Sequence, residues 1–231
     1  MKIMGKTRLN MTRHFIFPKH ALLLAAMATV VTACNGLFEN IYYNQADDVK
    51  DFGFVAVDAS TKSGTVYVDA TSYQRWNYID FHSLTTDTAN IVMDEAGPSQ
   101  WDIAIHRYDA KTNDAKVFRT EYASLSDVAA LVDMPESTGV TDEWTTDVIT
   151  VDMSHMMDGW LVYADSYYNR ELSTWLDVDK SEMPPIYTMS DKVYIVQFGD
   201  GTKAALKLRN YMNDVGIKGF MTVDYVYPLD Y

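Results

Sequence analysis

The run Asp152-Met153-Ser154-His155-Met156-Met157-Asp158-Gly159-Trp160 gathers three methionines and a histidine in one short segment. A further methionine, Met183, stands directly before Pro184-Pro185. Thioether sulfur is a soft, neutral donor. It suits Cu(I) and haem iron and is a poor ligand for Zn, Ca or Mg. The competing use of methionine is to fill awkward gaps in a core. Two features favour the ligand reading. Gly159 and the proline pair put these sulfurs in turn-flanked, loop-like segments. Trp160, Tyr163, Tyr167, Tyr168 and Trp175 lie nearby in sequence, and a flat apolar ligand needs such walls.

Other chemistry is sparse. Beyond residue 33 the histidines are His82, His106 and His155, far apart in sequence. There is no H-E-x-x-H, no nucleophile elbow, no G-x-G-x-x-G and no Walker loop. His106, within Ile105-His106-Arg107-Tyr108-Asp109, reads as a structural hydrogen-bonding residue. Carboxylates are numerous enough to allow a glycosidase pair. In so acidic a chain most of them are solvated surface. The formal charge is −13, from 32 acids and 19 bases. Five of those bases (Lys2, Lys6, Arg8, Arg13, Lys19) fall in the first 33 residues, which hold no acid. The rest carries 14 bases against 32 acids, a net of −18. Such a surface repels phosphate backbones, so nucleic acid is not the expected partner.

The N-terminus reads as an address. The basic stretch ends at Lys19, and Ala21 to Val31 carries no charge. That apolar run is too short to span a bilayer and suits a signal-peptide core. Val31-Thr32-Ala33-Cys34 resembles a bacterial lipobox, which implies cleavage before Cys34 and lipidation of its sulfur; an ordinary secretory signal or a buried free cysteine is the alternative. Cys34 is the only cysteine, so an internal disulfide framework and any multi-Cys zinc or Fe–S site are excluded. The expected division is residues 1–33 as signal peptide, 34–52 as lipidated N-terminus and tether, and 53–231 as one domain.

The elements that must position the methionines are strands. Thr65–Val68, Trp76–Phe81, Asp102–His106, Val148–Met153, Lys192–Phe198, Lys203–Leu208 and Phe220–Tyr227 are rich in β-branched and aromatic residues. Gly199-Asp200-Gly201 signals a hairpin. Ser124–Val132 predicts a helix with Ser124 as N-cap and Leu125, Val128 and Leu131 on one face. A second short helix is expected over Ser166–Trp175. Strand–helix alternation is lacking. The expected fold class is mainly β: a single antiparallel, sandwich-like domain with few short helices.

Several segments together resemble the HmuY family of haem-binding lipoproteins from Bacteroidota. They are Val66-Tyr67-Val68-Asp69-Ala70-Thr71-Ser72-Tyr73 with Trp76 and Tyr78, then Trp101-Asp102-Ile103-Ala104-Ile105-His106-Arg107-Tyr108-Asp109. Ile149-Thr150-Val151, Trp175-Leu176 and the tail Tyr187–Pro228 follow in order. The resemblance implies a hemophore-like protein, not an enzyme. It would take haem from host haemoproteins and pass it to a TonB-dependent receptor, held by a lipid anchor at the outer membrane, on the cell surface. It also implies two axial ligands from different loops. The two histidines of the best-known member fall on Trp160 and Lys180 here, so a bis-histidine site is absent. Other members look to use methionines, which points to Met156 and Met183, with Met157 or His155 as alternatives for the first. Arg170 and Lys180 are candidate propionate partners. Methionine has no proton to lose and favours Fe(II) relative to histidine, so the expected site prefers ferrous haem and tolerates mild acid. The alternative function is a surface lipoprotein of the same fold that binds a glycan or host protein.

Overall fold

The computed structural model describes residues 51–181 and 184–231. The signal segment, Cys34 and Met183 lie outside the described residues. Six strands form one antiparallel sheet: β1 (Gly53–Asp58), β2 (Ser63–Asp69), β7 (Lys116–Arg119), β12 (Tyr194–Gln197), β13 (Lys203–Met212) and β14 (Lys218–Val226), in the order β1-β2-β14-β13-β12-β7. A second sheet, ordered β4-β3-β5-β6, contains β3 (Arg75–Asp80), β4 (Thr85–Asn90), β5 (Ile103–His106) and β6 (Asp109–Thr112). Two separate ribbons complete the β structure. One is β8 (Glu143–Asp152) with β9 (Val162–Tyr168); the other is β10 (Leu176–Asp179) with β11 (Ile186–Met189).

Period-2 alternation explains the layering. Val66 and Val68 on β2, Met221, Val223 and Tyr225 on β14, and Leu206 and Leu208 on β13 share one buried cluster with Ile79, Ile103 and Ile105 of the second sheet. The two sheets therefore pack face to face, as a sandwich requires. The residues between them point the other way. Ile195, Ala205 and Val226 meet Val128 of a short helix, α1 (Leu125–Ala129), on the back of the six-stranded sheet. Trp76, Tyr78 and Ala104 instead form an outer cluster with Ile149 of β8. The first ribbon is thus docked on the outside of the four-stranded sheet.

The expected strands all form, several with shifted ends. The Gly199-Asp200-Gly201 hairpin also forms, closed by Phe198 N–H to Thr202 O at 2.9 Å with Gly201 at φ +90°. The helices differ. α1 stops at Ala129, and Ser124 occupies the N-cap position without a side-chain cap bond. The second helix, α2, covers only Arg170–Ser173. Ser166 to Tyr168 belong to β9 instead. The aromatic pair Tyr167-Tyr168 fits a pleated surface, and Asn169 starts the helix by accepting from Leu172 N–H.

Candidate functional site

Both ribbons spring from one junction. Asn169 is fully buried where β9 ends and α2 begins. Its Oδ1 accepts from Leu172 N at 2.9 Å, and its Nδ2 donates to Asp142 Oδ1 at 2.9 Å and Val140 O at 3.1 Å. Its own N–H donates to Ala110 O at 2.7 Å, tying the junction to β6. Trp175, also fully buried, donates from Nε1 to Tyr108 O at 2.8 Å. Its carbonyl takes Ser190 N–H at 2.9 Å, which fastens the far end of β11. The pair Asn169 and Trp175 therefore holds the bases of both ribbons against the four-stranded sheet.

Arg107 extends this support. Its guanidinium donates to Thr71 O, and to the Tyr108 hydroxyl at 3.0 Å, and lies 4.3 Å from the Tyr73 ring centroid. The Tyr108 hydroxyl donates in turn to that of Tyr187, on β11, at 3.3 Å. Burial, with the Tyr187 hydroxyl behind it, holds the Tyr108 phenol protonated far above the ordinary range. His106 is 1% exposed, and its Nε2 lies 2.8 Å from Tyr73 O. Desolvation pushes its pKa down to about 4. It is neutral and structural, as expected from the sequence.

The first methionine segment forms a 3-10 turn, Met156–Asp158, between β8 and β9. Gly159 closes it at φ +87°, a left-handed conformation that a side chain would strain. Met156 is 39% exposed and Met157 88% exposed, so neither serves as core filler. His155 stacks on Trp160 with ring centroids 3.9 Å apart, and its Nδ1 lies 3.1 Å from Asp158 Oδ2. The second segment lies between Asp179 and Ile186, in the connection of β10 to β11, with Met183 itself outside the described residues.

A cleft of about 650 Å³ lies at the base of the ribbons. Tyr108, Tyr168, Leu176, Val178 and Met189 give it apolar wall; Arg119, Arg170 and Lys180 give it cations. Arg170 and Lys180, expected from sequence to be near the ligand, are thus brought to one cleft. Asp109, Asp177 and Asp191 oppose them. Asp109 is desolvated, which pushes its pKa up to about 6 despite the opposing pull of Lys180. The Tyr168 phenol is pushed up to about 12 by burial and its hydrogen bond to Glu143. Of the aromatics expected as walls, Tyr168 lines this cleft, whereas Tyr167 lines another and Trp175 is sealed in the core. Met156 does not line the cleft. It stands at the far end of the β8–β9 ribbon, about 20 Å from Tyr168 at ~3.3 Å per residue. Asp109, Arg119 and Met189 had no sequence signal of their own; only the fold collects them.

The tightest group of metal-ligating types among the described residues is Asp80, His82 and Asp102. His82 sits between two carboxylates, with Nδ1 3.0 Å from Asp102 and Nε2 3.0 Å from Asp200. Desolvation lowers its pKa, but these two hydrogen bonds outweigh that and raise it overall. Each ring nitrogen thus faces one carboxylate. The group is a clasp between the second sheet and the β12–β13 turn.

The family model for the HmuY protein matches residues 72–225. The chain belongs to the HmuY family. Among solved structures, a candidate HmuY-like haem-binding protein from Bacteroides vulgatus is 53% identical, with a TM-score of 0.75, covering 78% of this chain and 100% of that one. A candidate lipoprotein from Bacteroides fragilis is also 53% identical, with a TM-score of 0.76, covering 80% of this chain and 100% of that one. The apo HmuY analogue of Tannerella forsythia is 25% identical with a TM-score of 0.60, covering 78% and 97%. No curated protein matches the chain. The HmuY resemblance and the mainly-β sandwich expected from the sequence are both borne out. No helix among the described residues is long and apolar enough to cross a membrane.

Proposed function

We propose that this HmuY-family chain is a hemophore-like lipoprotein, anchored through Cys34 at the outer membrane, that grips haem between its two ribbons with Met156 and Met183 as axial ligands. It takes haem from host haemoproteins and hands it to a TonB-dependent receptor. The observation that carries this reading is the pairing of two ribbons on one junction, with a methionine in the connecting segment of each. Haem needs apolar walls, cations for two propionates and two axial donors. Tyr108, Tyr168, Val178 and Met189 fit the first need, and Arg119, Arg170 and Lys180 fit the second. The Met156 sulfur is exposed, but it stands at the far end of the ribbon, so it meets the third need when the β8–β9 ribbon bends over the cleft. When bound, the haem supplies iron and porphyrin as cargo, and the residues only hold it.

A ferrous-haem titration followed by absorption tests the proposal. A sharp low-spin spectrum is expected, with ferric haem held at least about tenfold more weakly, because thioether favours Fe(II). Equal affinity in both redox states would remove the bis-methionine assignment. Absence of any spectral change would remove haem as the ligand.

A second reading of the first ligand has one observation behind it. The Nδ1 of His155 lies 3.1 Å from Asp158 Oδ2, the arrangement that orients metal-bound imidazoles. His155 with Met183 would then be the axial pair. His155→Ala distinguishes this pair from two methionines, since it removes an axial donor only from the first.

Asp109 adds a pH effect. Its pKa of about 6 means that acidification from pH 7.5 to 5.5 removes a negative charge from the cleft. Haem propionates should then be held as well or better at pH 5.5. Asp109→Asn should bring the higher affinity to pH 7.5 and flatten the profile. The same substitution should raise stability. The neutral form is favoured in the fold, so stability falls as pH rises from 3.8 through about 6. Above pH 7 the gain is at most about 3 kcal/mol. Thermal unfolding at pH 5 and pH 8 checks this, with the gain confined to pH 8.

A further inference from the structure

A second cleft, of about 710 Å³, lies between the outer face of the four-stranded sheet and the base of the β8–β9 ribbon, apart from the haem cleft. Its floor is an aromatic cage. Lys111 Nζ lies 4.4 Å, 5.0 Å and 5.3 Å from the ring centroids of Trp76, Tyr78 and Trp101. Its mouth is a second aromatic pair, Trp144 and Tyr167, in edge contact at 5.0 Å and each 56% exposed. Five carboxylates line the same space: Asp94, Glu95, Asp114, Asp142 and Asp165.

These carboxylates are not equivalent. Asp142 accepts from Thr112 N at 2.7 Å, Thr112 Oγ1 at 2.8 Å and Asn169 Nδ2 at 2.9 Å. Glu95 accepts from Asn90 N at 2.8 Å. Among the described residues, the side chains of Asp94, Asp114 and Asp165 have no hydrogen bond or ion pair. Trp76 is 2% exposed. Ring faces attract cations, and more strongly where water is excluded. Burial also makes the resident ammonium a reluctant cation, with its pKa lowered to about 8.

We propose that this cleft is a second binding site, for an organic cation whose ammonium or guanidinium head seats against Trp144 and Tyr167 and is balanced by Asp165 and Asp94. Lys111 is the internal example of that chemistry. One ammonium against five carboxylates leaves charge for another cation. A neutral sugar would also stack on Trp144, but it would leave that excess uncompensated.

Tryptophan fluorescence of the intact protein tests the site, since Trp76, Trp101 and Trp144 all line it. The probes are tetramethylammonium and an end-blocked Gly-Arg-Gly peptide, which separate a small-molecule source from a peptide source. Sodium chloride at matched ionic strength controls for screening, and maltohexaose is the neutral competitor. Saturable quenching by at least one cation is expected. Trp144→Ala should weaken it about tenfold. Asp165→Asn should weaken it several-fold. Both side chains are exposed, so both variants keep the fold. Lys111→Met should strengthen it, because the like charge is gone and three rings are freed. A response no larger than that of sodium chloride would overturn the proposal. So would saturable maltohexaose binding that Lys111→Met leaves unchanged or weakens. The titration is read on haem-free protein, because bound haem would quench the indoles, and its outcome therefore does not depend on the haem site.

Discussion

Met156→Leu and Met183→Leu should each abolish the low-spin ferrous spectrum and weaken haem binding by roughly 100-fold or more, on the scale of lost metal-site contacts. Leucine keeps the apolar volume and removes only the sulfur, so packing is held nearly constant. Met156 is 39% exposed, which leaves the fold indifferent to the change. Met157, 88% exposed and one residue away, is the internal control, and Met157→Leu should leave the titration unchanged. His155→Ala separates the two ligand pairs. If it erases the spectrum while Met156→Leu does not, the iron is held by histidine and Met183. If neither substitution in the β8–β9 turn matters, this turn does not reach the iron at all.

Asn169→Ala should destabilise the protein by about 3 kcal/mol, from a lost helix cap and buried partners left unpaired. For a domain of this size that is a fall of roughly 6–12 °C in Tm. The cost is large because the residue is fully buried and its side chain serves three partners. Leu172 N–H loses its cap, while Asp142 and Val140 lose a donor. Asn169→Asp keeps the cap oxygen and should still destabilise, since it sets a carboxylate against that of Asp142. Haem affinity should fall in both variants, because the bases of the two ribbons meet here. Scanning calorimetry beside the haem titration checks the coupling. A destabilised variant with unchanged haem affinity would show that the ribbons do not depend on the junction.

Much of this protein is readable without coordinates. Val66 and Val68, Ile103 and Ile105, and Met221 and Val223 alternate because a strand sends successive side chains to opposite faces, and one face of each packs the core between the sheets. Gly199-Asp200-Gly201 announces its hairpin because the turn needs a positive φ, which Gly201 supplies. The Ser166–Trp175 expectation failed for an equally local reason. Helical spacing of apolar residues competed with the β preference of Tyr167-Tyr168, and docking of the ribbon on the sheet decided for the strand. Tyr163 and Trp175 stood near the methionines in sequence and looked alike as walls. In the fold Trp175 is sealed in the core, and Tyr163 is 39% exposed on the ribbon.

The residues by themselves determined the fold class, the family and the turn that carries Met156 and Met157, because each depends on periodicity, turn chemistry or residue type within short stretches. Only the tertiary structure decided what surrounds the cargo. Asp109 of β6, Arg119 at the end of β7, Lys180 after β10 and Met189 of β11 meet in one cleft through sheet order and the Asn169–Trp175 junction. The same packing seats Lys111 among Trp76, Tyr78 and Trp101. Neither grouping has a spacing along the chain, since non-local strand pairing sets which side chains converge, and that pairing is a property of the whole core.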